Sequence, residues 1–277
     1  MFEQTDLLAQ LGEGLTNKVV ERLHNFAYLP AGIVQQLAQD ALNEEWGSNY
    51  YALEKYLAVH ISWAIEQGAY THSHNQFYVT AGHLQTRYGT PLYLVFAQNI
   101  QGNPPWRLVT AGSNISAPEL PVSPEIPEPP EIPVGKEIVM MHDHILGENA
   151  ERVPFLANTP PVAQMCAVSG AIQWSLNRNL QMSYWYYGKM QYLVPLYLQN
   201  RENIALAPDA VAPIQVNPNS LLVRTVLTPA MPYANARVAV HRHDQLPPWL
   251  LDAWSSVAQQ ASTQQIEDPE ANEEHNN

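Results

Sequence analysis

The chain has 277 residues, 46% of them apolar, enough to bury one large core or two small ones. Its formal charge is −13, yet nine of its 26 acids fall in two base-free stretches: Glu119, Glu125, Glu128 and Glu131 within 113–135, and Glu267, Asp268, Glu270, Glu273 and Glu274 within 262–277. The remaining 17 acids against 13 bases exclude the broad basic face that sequence-blind binding to duplex DNA requires, while a local basic pocket stays open.

The opening Met1-Phe2-Glu3-Gln4-Thr5-Asp6 is acidic where a secretory leader needs a basic start and an apolar run, which points to the cytoplasm. Ile33 to Leu42 reads as a short helix entered through Pro30. Tyr50 to Gln67 reads as a longer one, with Leu53, Tyr56, Leu57, Ile61, Ala64 and Ile65 recurring at three and four along one stripe. His60 lies beside that stripe as a partly buried packing residue. Gln76 to Ala81, Pro91 to Ala97 and Trp106 to Thr110 are β-branched or aromatic runs between glycine and proline turns, the pattern of three strands in an antiparallel meander.

Residues 113–135 form a proline-rich acidic insertion that cannot supply backbone donors to a sheet, so an exposed, semi-rigid polyproline II spacer is expected. Glu137 to Met141 resumes the sheet. Val153 to Asn177 is uncharged and long enough to cross a bilayer, but Asn158, Gln164, Ser169 and Gln173 suit a core helix, begun at Thr159-Pro160 and running to about Leu180. The single cysteine, Cys166, falls inside it and reads as inert packing. Met190 to Leu198 and Ser220 to Thr228 are the strongest strands, Pro195 marking an edge or a bulge. Past Trp254 the composition turns polar, and 257–277 is expected to be a disordered acidic tail. The expected fold is one α/β domain of the α+β type over residues 1–256, its helical N-terminal third packed on a mixed or largely antiparallel sheet.

No phosphate-loop, dinucleotide-binding, nucleophile-elbow or paired Cys-x-x-Cys pattern occurs. Three His-x-His pairs do: His72/His74, His142/His144 and His241/His243, the spacing that puts two imidazoles on one face of a strand. Spacing alone does not make a metal site, so no metal ligand and no cofactor is assigned. His142-Asp143-His144 stands out because it follows an apolar strand. Arg152, Arg178, Lys189, Arg224 and Arg237, with Arg201 a sixth, lie between residues 152 and 240, where the acids are Glu202 and Asp209. Buried cations need partners, so they meet either an anionic ligand or acids from elsewhere in the chain. In Tyr233-Ala234-Asn235-Ala236-Arg237, a helix places Tyr233 and Arg237 on one face and a strand places all three polar residues there.

Phe26-Ala27-Tyr28-Leu29-Pro30, Leu37-Ala38, Ala41-Leu42 and Glu44-Glu45-Trp46 are similar to the opening of a bacterial family known as a domain of unknown function. His144-Ile145-Leu146 with Glu148-Asn149 and Arg152-Val153-Pro154 resembles its central motif. Tyr186 to Gln191 with Leu193 to Leu198 resembles the next, and Thr225 to Thr228, Met231, Tyr233 and Asn235-Ala236-Arg237 the last. The blocks keep their order from about residue 24 to Leu250. Two stretches depart: Val79-Thr80-Ala81-Gly82-His83 stands where the family tends to have Phe-Asn-Thr-Gly-Leu, and Pro229-Ala230-Met231-Pro232-Tyr233 replaces a proline-free run. Many members carry this domain C-terminal to cold-shock or OST-HTH RNA-binding domains, so the resemblance implies an RNA-linked role.

The resulting expectation is a pocket for a nucleotide or RNA end, with Arg152, Lys189 and Arg237 on phosphate and Tyr233, Asn235 and Gln191 on base or ribose. If it is an enzyme, the expected chemistry is metal-independent processing of a phosphoester, with His144 moving a proton. The alternatives are a non-enzymatic interaction protein that recruits a protein partner through 113–135 or the acidic tail, and a metal hydrolase built on the His-x-His pairs.

Overall fold

The structure is a computed structural model that describes residues 7, 9–11, 19–47, 49–133 and 135–260. Its helices and two mixed sheets give the expected α+β class. By their contacts the described residues divide into two compact units. The first holds those up to Ile126 with His241–His243, the second Pro127–Val240 with those from Asp244 onward.

In the first unit, α1 (Val19–Phe26), α2 (Ala31–Asp40) and α3 (Tyr51–Glu66) accompany a sheet of order β1-β5-β4-β3-β2, with β1 (Ala27–Tyr28), β2 (Thr71–Ser73), β3 (Gln76–Gln85), β4 (Pro91–Gln98) and β5 (Trp106–Gly112). The expected meander is β3-β4-β5, antiparallel throughout, and β1 adds a parallel edge. The apolar stripe of α3 is buried as its spacing demands, and so are Ala52, Ala58, Val59 and His60 beside it, so the helix is enclosed on nearly every side. It lies against β3, α2 against β5, and α1 against α3. Phe77 anchors the core, stacked on Phe96 at 4.8 Å and edge-on to Trp106 at 4.8 Å.

Gly82 marks where helix and sheet come closest. Its φ is +59°, and a Cβ there would stand 2.6 Å from both His60 Cγ and the Tyr56 hydroxyl. A glycine is therefore required twice over, by conformation and by space. The Tyr56 hydroxyl accepts the next amide, His83 N–H, at 2.8 Å.

The proline-rich insertion has no helix or strand, as expected, but its first half is not a free spacer. The Thr71 hydroxyl donates to Glu119 O (2.8 Å), the Ser123 hydroxyl to Gly82 O (2.8 Å), and His83 Nε2 meets Pro124 O (3.0 Å). Gln67 closes a two-way pair with the Glu125 backbone at 2.9 and 2.7 Å. Proline removes donors and leaves carbonyls, so a proline-rich strap can still be tied down by side chains that donate.

The second unit is a sheet of order β6-β10-β9-β8-β7: β6 (Glu137–Met140), β7 (Met182–Tyr186), β8 (Lys189–Leu196), β9 (Ala210–Val216) and β10 (Ser220–Val223), with β6 parallel to β10 and the other pairs antiparallel. Helix α4 (Pro161–Leu176) packs Val168, Ala171 and Ile172 into a core with Val194, Leu196, Ala212, Ile214, Leu221 and Val223. Pro195 satisfies the edge expectation locally. The β7–β8 ladder ends at Leu193, so no strand calls on a donor at 195, and the Pro195 carbonyl instead accepts the buried Ser175 hydroxyl at 2.6 Å. Pro213 uses the same device on β9, beyond the β10 ladder that stops at Gln215.

Three sequence expectations need correction here. Helix α4 starts one residue late, with Pro160 before the first turn and Pro161 inside it, and ends at Leu176, where Asn179 at φ +54° turns the chain and Leu180 N–H reaches back to Ser175 O. Cys166 is exposed, not packed. It lies two residues from both Gln164 and Val168, which face the core, and so points the other way round the helix. The last helix, α6 (Pro248–Gln260), following α5 (Tyr233–Val238), continues past residue 256, and 261–277 lie outside the described residues. Among the described residues no helix is long and apolar enough to cross a membrane.

Candidate functional site

After β6 the chain widens into a π-helical turn, Asp143–Glu148, followed by two 3-10 turns, Ala150–Arg152 and Pro154–Leu156. Ile145, Val153 and Leu156 bury one side of this segment in the core and so fix the polar side. Extra-wide helical turns of this kind recur at functional positions. His144 Nδ1 lies 2.7 Å from Glu148 Oε2, and the His144 side chain is 20% exposed. The Asn149 amide donates to His144 O at 2.8 Å and stands 3.3 Å from Nε2. A carboxylate on Nδ1 and an amide donor facing Nε2 favour the tautomer with the proton on Nδ1, which leaves Nε2 as the acceptor. His142 meets a different carboxylate, Asp143, at 3.1 Å.

Arg152 closes the segment. Its Nη1 donates to the Thr225 hydroxyl and to Val226 O, both at 3.1 Å, and Glu151 lies 3.8 Å from Nε. The guanidinium thereby braces the turn against the chain that leaves β10, with its side chain 13% exposed.

Lys189 and Gln191 share one face of β8, two residues apart. Lys189 is exposed. Gln191 is buried, its Oε1 accepting Val216 N–H at 2.8 Å where the β8–β9 ladder stops. Residues 233–238 are helical, so Tyr233 and Arg237 fall one turn apart on α5, which packs against β7 and α6. Tyr233 stacks face to face on Trp254 at 4.5 Å, and Arg237 Nη1 donates to Val240 O at 3.0 Å. Tyr233, Asn235, Arg237 and Gln191 are 0, 4, 1 and 4% exposed. All four are therefore buried, whereas the sequence reading expects them to meet a ligand.

The three cations proposed for phosphate are set differently: Arg152 as a largely buried brace, Lys189 open at the start of β8, Arg237 inside α5. What the structure does bring together is His144, Glu148, Asn149 and Arg152 in one short segment. Glu148 and Asn149 were absent from the candidate set, although the i, i+4 spacing of His144 and Glu148 carries the signal.

The His-x-His pairs do not build metal centres. His74 turns away from His72 at φ +51°, and His241 instead sits with its Nδ1 3.4 Å from that of His83. Among the described residues no group of three or more His, Cys, Asp or Glu could hold a metal ion. Two tyrosines are raised from their ordinary range. Tyr197 is raised by burial and then by Asp209, Tyr192 by burial and then by Glu131.

A family model described as a domain of unknown function (DUF3825) matches residues 37–246. The chain belongs to that family. No curated protein and no solved structure matches it.

Proposed function

We propose that this member of the DUF3825 family binds a nucleotide or the end of an RNA at the turn after β6, with His144 and Arg152 at the centre and Lys189 as a further cation for phosphate. The observation that carries the reading is the His144–Glu148 pair at 2.7 Å, part-exposed and in one segment with Arg152. A histidine whose Nδ1–H is held by a carboxylate keeps its Nε2 lone pair as the acceptor, the arrangement that takes a proton from a hydroxyl. Phosphoester processing is the reaction class this fits. His144 Nε2 takes the proton of the attacking hydroxyl, displacing the Asn149 amide; as the new P–O bond forms, the ester P–O bond breaks and the departing oxygen takes a proton from solvent, while Arg152 and Lys189 offset charge growing on the phosphoryl oxygens. The association with cold-shock and OST-HTH domains that the sequence resemblance implies points to RNA as the source of the ligand.

Recruitment of a protein partner through 113–135 has less support, because Glu119, Pro124 and Glu125 already spend carbonyls on neighbouring side chains. Calorimetric titration with nucleoside monophosphates and 5′-phosphorylated short RNAs tests the reading. Loss of a charge-assisted contact in Lys189→Ala or Arg152→Gln should weaken binding by roughly 10-fold or more. His144→Ala should bind but not turn over. A wild-type protein that binds none of these ligands at millimolar concentration removes the proposal.

A further inference from the structure

We propose that Trp174, Arg178 and Arg201 form a second, exposed phosphate-gripping surface of the second unit, which holds the backbone of a single-stranded RNA. Trp174 lies in the last turn of α4, part-buried, and two guanidiniums approach its ring: Arg178 Cζ at 4.0 Å and Arg201 Cζ at 5.0 Å from the centroid. The two arginines come from separate stretches of chain. Arg178 follows α4 directly and donates Nη1–H to Trp174 O at 3.1 Å. Arg201 arrives from the loop after β8, anchored by Nε–H to Tyr197 O at 2.9 Å, while the Tyr197 ring meets Trp174 edge-on at 5.9 Å.

Both arginines are exposed, and among the described residues each is held by a backbone carbonyl and the indole, with no carboxylate partner. The nearby acids do not fill the gap. Asp209 is engaged by the Leu198 and Gln199 amides and the Gln199 side chain, and Glu202 makes no ion pair among the described residues. A helix C-terminus favours one cation, which accounts for Arg178. It does not account for Arg201, brought from another loop to the same ring against like-charge repulsion.

Each guanidinium uses one of its five N–H donors internally and keeps the rest for an acceptor outside. Stacking on a part-buried indole orients both forks, which suits bidentate recognition of phosphate. Two such forks around one ring can grip one phosphate together or two neighbours on one strand. The exposed amides of Gln173 and Asn177, bonded to each other at 2.9 Å at the same end of α4, add donors without negative charge. The choice of RNA as the polyanion rests on the reading above; the surface itself does not.

The test is fluorescence anisotropy of a short labelled single-stranded RNA against salt, with a mononucleotide titrated in parallel. The double variant Arg178→Ala/Arg201→Ala should keep its melting temperature, bind the mononucleotide as wild type does, and bind the RNA about 10-fold or more weakly. Its slope of log affinity against log salt should be shallower by about 1.4, the release expected for two phosphate contacts on a single strand. Unchanged RNA affinity and slope overturn the surface and leave the turn after β6 untouched. RNA binding that depends on Arg178 and Arg201 while mononucleotides bind nothing supports the surface and sinks the other site. Arginine-dependent binding to anionic phospholipid vesicles in preference to RNA overturns the assigned partner.

Discussion

Gly82→Ala tests the packing of the first unit most sharply, because two separate costs can be worked out for it. At φ +59° a side chain pays the left-handed penalty, about 1 kcal/mol. The new Cβ would also stand 2.6 Å from His60 Cγ and from the Tyr56 hydroxyl. Neither atom can easily yield. The His60 ring is fully buried, 4.3 Å from Tyr56 and 5.0 Å from Trp63 by centroids, and the Tyr56 hydroxyl is bonded to His83 N. Overpacking of this kind adds ~1–3 kcal/mol, so the substitution should cost about 2–4 kcal/mol in all. Gly89→Ala is the control: φ is +77°, but the nearest atom, Gln85 Oε1, is 4.0 Å away. It should cost about 1 kcal/mol. Urea unfolding followed by tryptophan fluorescence measures both. Equal losses for the two variants would refute the close approach of α3 to β3 at this point.

Cys166, exposed on α4, should react with a water-soluble maleimide in the native protein as fast as in urea; protection in the native state would contradict the helix orientation. Gln67→Ala removes both bonds to Glu125 and should raise the rate of proteolytic cleavage within 113–126, with melting temperature little changed. The hydrogen bond to Glu54 raises the pKa of His24 above 6.5, against the opposing pull of burial. The pair therefore contributes stability below the unfolded value of 6.5 and loses it as pH climbs through the raised folded value. Because His24 is half-exposed, His24→Gln should cost at most ~1 kcal/mol at about pH 6 and nothing at about pH 9, and a cost independent of pH would exclude the ion pair.

The sequence announced the elements whose local pattern and surroundings agree. The helix α3 and the three runs of β3, β4 and β5 were legible because their apolar residues lie between turn-forming residues and are buried almost throughout α3, β3 and β4. Strand β9 was not, since Pro213 in Ala210–Val216 argues against a central strand unless one knows that the β10 ladder stops short of it. Exposure of Cys166 was hidden for a related reason: α4 lacks charge all round, so composition does not tell its core face from its open face. At the site, the surplus of cations between residues 152 and 240 was visible, but not its destinations. Arg237 and Tyr233 turned inward, Arg178 and Arg201 turned to one indole, and only packing decides which. The i, i+4 spacing of His144 and Glu148 is visible in the sequence, but the π-helical turn that joins them is signalled by no propensity.

The most direct measurement is an NMR titration of the isotope-labelled chain with a nucleoside monophosphate, read at each backbone amide. Saturable shifts at residues 142–153 and 187–191, diminished in Lys189→Ala, are the expected result. Shifts that never saturate, or that gather in the first unit and leave the turn after β6 unmoved, would contradict it.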